Sequence, residues 1–254
     1  MVAARELDRE RIDITTHGVF VFSEPRRYPA TMADKPTGSW KLVLVPALVT
    51  LVVTIVRLVG ELQGWNNTWF NNALPDEDSL PPLFGITLLV PIFGFWFGWR
   101  LRRSTGTPKH SGKAALVYLL GVGVLIGGFQ AATAMGLIVM PTKEAPGVPD
   151  GMAWAVGLMV AAAAVAFTAW PRLSATLFVY ALLARIPVIV ITFVAVANDW
   201  NTHYAKLGPI FKLPPDTSKP LFLSMPQGTF WIAFTMLVGG LTGCLGAALA
   251  RRKA

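Results

Sequence analysis

The chain has 254 residues, of which 54% are hydrophobic and only 14% charged, with nine Trp and fifteen Phe. A mean hydropathy of +0.53 and a charged share far below the roughly 25% of soluble domains place it in lipid and exclude disorder. A lone cysteine, Cys244, excludes an internal disulfide scaffold, and the net charge of +8 reads as membrane topology rather than nucleic-acid binding.

Residues 1–39 form a polar, charged tail with one short apolar strand-like run, Gly18-Val19-Phe20-Val21-Phe22. No apolar region of a cleavable signal precedes the first span, so that span is expected to act as an uncleaved anchor, with the tail at the membrane surface. A bilayer core takes about 20 apolar residues per helix. Six stretches approach or meet that length: 40–60, 83–99, 114–140, 152–170, 174–197 and 228–250. The expected architecture is an all-α integral membrane protein, a bundle of six transmembrane helices closed by a short basic end, 251–254. The second stretch is short, and the third is long enough to demand tilt. The tight break Trp170-Pro171-Arg172-Leu173 makes a hairpin of the fourth and fifth. Pro46, Pro91 and Pro187 lie inside spans as three candidate kinks.

Lys and Arg gather on the cytoplasmic side of membrane proteins. With both termini inside, the inner face carries 16 of the 22 Lys and Arg, the outer face Lys143, Lys206, Lys212 and Lys219, and the spans Arg57 and Arg185. Reversal would invert a four-to-one bias, so both termini are expected in the cytoplasm, the membrane being a bacterial cytoplasmic (inner) membrane. The two outer loops Gly64-Trp65-Asn66-Asn67-Thr68-Trp69-Phe70 and Asp199-Trp200-Asn201-Thr202-His203-Tyr204 resemble each other. An internal repeat would explain this, and so would the ordinary crowding of Trp, Tyr and Asn at membrane interfaces.

The distribution of reactive side chains excludes several functions. No Asp or Glu lies within a span, Glu61 reaching only the outer end of the first, which argues against a carboxylate relay. His17, His110 and His203 are too scattered to hold a metal or haem, and there is no phosphate-binding glycine loop or nucleophile elbow. No metal, cofactor or catalytic residue is therefore expected. Asp199 and His203, four residues apart, would share a helix face if the fifth helix continued that far. A weak metal or headgroup site would then compete with an aromatic interface anchor formed with Trp65, Trp200 and Tyr204.

Arg185 is the sharpest feature. It lies near the middle of the fifth span, where a guanidinium costs roughly 3 kcal/mol or more and needs acceptors. Gln130, Tyr180 and the Leu183 carbonyl freed by Pro187 are its internal candidates. A partner subunit's carboxylate, or an anionic solute in a midplane cavity, are the others. Arg57 is explained by Glu61 one turn later. Glycine pairs at helical spacing, Gly94 with Gly98, Gly123 with Gly127, and Gly239 with Gly243, mark faces for close helix packing.

These features favour a structural or accessory subunit of a membrane assembly, in contact with lipid and with a partner subunit or a second copy. The alternative is a transporter or channel for a small anionic or neutral solute. A lipid-directed enzyme rests on Asp199 and His203 alone.

Overall fold

A computed structural model describes residues 39–70, 85–105 and 110–250. The tail through residue 38 with its Gly18–Phe22 run, the expected start of the second span at Leu83, and the basic end 251–254 lie outside those residues. The described chain is helical, without a strand: α1 (Ser39–Leu62), a single turn α2 (Asn67–Phe70), α3 (Leu89–Thr105), α4 (Ser111–Ala134), α5 (Met152–Ala169), α6 (Pro171–Ala197), α7 (Lys219–Gly228) and α8 (Phe230–Leu249). Among the described residues, five segments are long and apolar enough to cross a membrane: Lys41–Leu62, Ser111–Ala134, Met152–Ala169, Pro171–Ala197 and Lys219–Leu249, the last formed by α7 and α8 together. The helices therefore make a polytopic membrane protein.

The boundaries move from the apolar runs for local reasons. The second run spans 83–99, but α3 starts at Leu89 and continues through the basic residues to Thr105. Arg100 and Arg103 stack on Trp96 and Trp99, one turn back, at 5.9 and 4.6 Å, so the helix keeps its aromatic face while the cations reach outward. Pro91 falls in the first turn, where its missing N–H costs nothing, and is no internal kink. The third run does not become one long tilted helix. It stops at Ala134, Gly136 turns the chain at φ +70°, and Val139 pairs with Asp150 across the connecting loop. Gly151, also at φ +70° and pressed against the Leu137 carbonyl, starts α5 where a side chain would clash. One residue, Trp170, separates α5 from α6, and Pro171 opens α6 at the position that suits it. The last run, 228–250, becomes α8, and a further helix, α7, precedes it and is set off from it by a break at Thr229.

The centre of the bundle is α8, packed against α3, α4, α5 and α6. Gly94 lies on Gly239 and Gly98 on Gly243, so α3 and α8 run side by side in the same direction; a Cβ added at Gly98 would strike the Gly243 backbone. Leu177 and Leu173 fill the opposite side of the same two α8 glycines, which sets α6 antiparallel. Phe97, Tyr118, Tyr180, Leu173, Leu177, Met236 and Leu237 complete the buried core. Its hydroxyls are paired, Tyr118 with Ser174 at 2.8 Å, Ser174 with the Ala166 carbonyl at 2.6 Å, and Tyr180 with Thr50 at 2.8 Å, whereas the Trp170 indole N–H has no partner among the described residues. Such pairing is what a water-free interior requires.

Gly123 and Gly127 depart from the packing expectation. Both are exposed, and an added Cβ at either meets nothing within 4 Å among the described residues. The glycine that α4 does bring to α8 is Gly121, against Leu237.

Candidate functional site

The polar residues converge at the end of the bundle where α1 and α6 finish. Arg57 and Glu61, one turn apart near the end of α1, form the ion pair their spacing predicts, Nε donating to Oε1 at 2.9 Å. The α6–α7 loop then folds over it. The His203 backbone N–H donates to Glu61 Oε2 at 3.0 Å, and its Nδ1 lies 2.5 and 2.7 Å from the two carboxylate oxygens. The Glu61 side chain is completely buried, and both its oxygens are engaged.

Asp199 is not the partner of His203. Helix α6 ends at Ala197, and Asp199 takes a left-handed turn at φ +50°, exposed to the outside. That turn reverses the chain and aims His203 back at α1, so the shared helix face never forms. Burial pushes the His203 imidazole below its ordinary value of 6.5, reinforced by the Arg57 charge and opposed by the hydrogen bond to Glu61. A neutral ring with its proton on Nδ1 satisfies the carboxylate without adding charge. Tyr204 lies beside His203 with ring centres 3.8 Å apart and planes tilted by 41°, and is buried in a cluster with Val188 that the partly buried Trp200, Leu58 and Ile86 flank. Burial pushes its phenol well up. Trp65 is held by an edge contact with Phe70 at 5.2 Å just after α1 and does not join Trp200. Among the described residues, no three His, Cys, Asp or Glu side chains gather closely enough to hold a metal.

Arg185 is 4% exposed. Gln130 does not serve it: that amide is exposed on α4. Tyr180 is turned to Thr50 instead. The acceptor is Gln227 on α7, whose Oε1 takes a hydrogen bond from an Arg185 terminal nitrogen at 3.2 Å, and the guanidinium carbon stands 4.7 Å from the Trp231 ring at the start of α8. Its Nε has no acceptor among the described residues, and neither has the buried hydroxyl of Ser224, one turn before Gln227.

Sequence reasoning missed Glu61 with His203 because 142 residues separate them. Gln227 carried a weak signal, a single amide at the entrance to the last span. Ser224 and Trp231 carried none, because a serine before that span and an aromatic inside it are ordinary. No protein-family model matches the chain, and no curated protein or solved structure matches it either.

Proposed function

We propose that the protein is a six-pass subunit of a membrane assembly, with both termini in the cytoplasm of a bacterial cell. Helix α3 counts as the sixth pass in this reading, because it lies against α8 along its glycines. Among the described residues Lys41, Arg100, Arg102, Arg103, Lys113 and Arg172 share one end of the bundle, while Glu61, Glu144, Asp150, Asp199 and Asp216 belong to the other. That polarity supports a cytoplasmic basic end.

One observation carries the assembly role. Gly123, Gly127 and Gln130 fall on a single face of α4 together with Leu116, Leu119, Leu120 and Ile126, all exposed. Lipid gains nothing from two glycines and an amide. A transmembrane helix of a neighbouring subunit does, since the glycines admit its backbone and Gln130 offers a hydrogen bond across the contact. Arg185, in contrast, is buried within its own chain, so it is not the point of contact with a partner's carboxylate.

Native mass measurement in mild detergent tests this. A species heavier than the 27.5 kDa chain that reverts to that mass in Gly127→Leu is expected. A monomer at every concentration, unchanged by the substitution, overturns it. A second reading, passage of a small solute, has one observation in its favour: the α7–α8 break beside Arg185 resembles the interrupted helices that line transport sites.

A further inference from the structure

The surroundings of Arg185 contain more donors and more positive charge than the described residues satisfy. Arg57 lies near the end of α1 and Arg185 in the middle of α6, and Tyr204, in the loop after α6, lies within electrostatic range of both and of Glu61. Glu61 is the carboxylate of that group, and its two oxygens are already occupied by Arg57 and His203. Arg185 is therefore not neutralised by it. Its terminal nitrogen reaches a neutral amide, Gln227, and its face meets the Trp231 ring. Neither supplies negative charge.

Among the described residues, Trp170 Nε1, Thr202 Oγ1, Arg185 Nε and Ser224 Oγ are buried without a hydrogen-bond partner, and the last two belong to helices that pack together, α6 and α7. Arg185 Nε comes from α6, 4% exposed, and Ser224 Oγ from α7, 5% exposed. Ser224 and Gln227 are three residues apart on α7, so they present neighbouring side chains to α6, and Gln227 is fixed there by its bond to Arg185. Helix α8 begins at this level with Trp231 in its first turn. A buried, unpaired donor is costly to leave unmade. One small anion would answer the surplus charge and both free donors at once.

We propose that Arg185 Nε and Ser224 Oγ bind a small carboxylate between α6, α7 and α8. The two oxygens of a carboxylate can accept from one guanidinium N–H and one hydroxyl at once. Gln227 is the positioning residue that holds the guanidinium in place, and Trp231 is its lid. This site stands independently of the α4 docking face, which lies on another helix.

The full chain in nanodiscs, titrated at constant ionic strength with acetate, inorganic phosphate or chloride, tests the proposal. The readouts are the thermal midpoint and the intrinsic fluorescence, with Trp231→Phe identifying the contribution of that ring. Saturable stabilisation by acetate is expected, lost in Arg185→Met and weakened about tenfold in Ser224→Ala, the effect of one charge-assisted hydrogen bond. Arg185→Lys, which keeps the charge but has no Nε, should also weaken binding. A response that survives intact in Ser224→Ala and Arg185→Lys overturns the assignment. So does saturation by phosphate or chloride with none by acetate, or the lack of any saturable response.

Discussion

Two glycine pairs with the same spacing behave in opposite ways. Gly94 and Gly98 on α3 press their backbone against Gly239 and Gly243 of α8, whereas Gly123 and Gly127 on α4 face open space among the described residues. The spacing states only that close approach is permitted. Whether anything approaches depends on which face the neighbouring helices leave for the outside. On α3 the glycine face is where the core helix lies. On α4 the core side is taken by Ala114, Tyr118 and Gly121, almost opposite Gly123 and Gly127, so the pair is turned outward.

That contrast breaks most visibly at Gly98. Gly98→Leu places a side chain where the Gly243 backbone already is. Overpacking typically costs about 1–3 kcal/mol, and a clash with backbone rather than a movable side chain belongs at or beyond the upper limit. The expected outcome is little folded protein by size exclusion in detergent. Gly243→Leu should behave alike, because Leu173 and the α3 backbone enclose it, while Leu241→Ala should be far milder. Similar recovery of all three would mean that the α3–α8 seam tolerates separation.

A contact made by charge sharpens the comparison with one made by shape. Glu61→Gln leaves the volume intact but removes the acceptor charge for Arg57 and His203 at a fully buried position. Breaking one member of a buried pair costs about 3 kcal/mol or more, discounted here because the Arg57 side chain is 16% exposed. A lower thermal midpoint is expected, together with easier proteolysis of the 198–218 loop; an unchanged midpoint would show that the loop is held by Tyr204 and Trp200 alone.

Acid should act more gently at the same place. The folded-state value of His203 is depressed by burial, so the unfolded chain takes up the proton first. Its contribution to stability is complete above the unfolded value of 6.5 and is lost as pH falls through the lower folded value. Arg57, Lys206 and Glu61 are the charges acting on it. Thermal midpoints measured from pH 8 to pH 5 should fall in the wild type, with a smaller fall in His203→Gln. Equal slopes would place the acid sensitivity elsewhere.

The smallest effect belongs to the outward pair. Gly127→Leu should leave the stability of the single chain within roughly 0.5 kcal/mol, as surface changes do, since the added side chain enters open space. Severe destabilisation of the isolated chain would show that α4 is enclosed by its own subunit.

The amino-acid sequence determined the class of the molecule. Apolar runs long enough for a bilayer lead directly to helices, because a chain in lipid must satisfy its backbone internally. Local features were equally legible: Arg57 with Glu61 one turn on, and the tight break at Trp170-Pro171 between two helices, although the second helix starts at Pro171 rather than Ser174. What tertiary structure alone decided is which polar groups meet. Asp199 and His203 are near in sequence, yet a left-handed turn at Asp199 separates them and delivers His203 to Glu61. Gln130 has the mid-helix depth to serve Arg185 but lies on the wrong face of α4, and the break at Thr229 brings in Gln227 and Trp231 instead. The physical reason is the same in each case. Helix periodicity fixes which residues share a face, whereas the rotation of that face and the path of a loop follow from packing among all the helices, which no local pattern encodes.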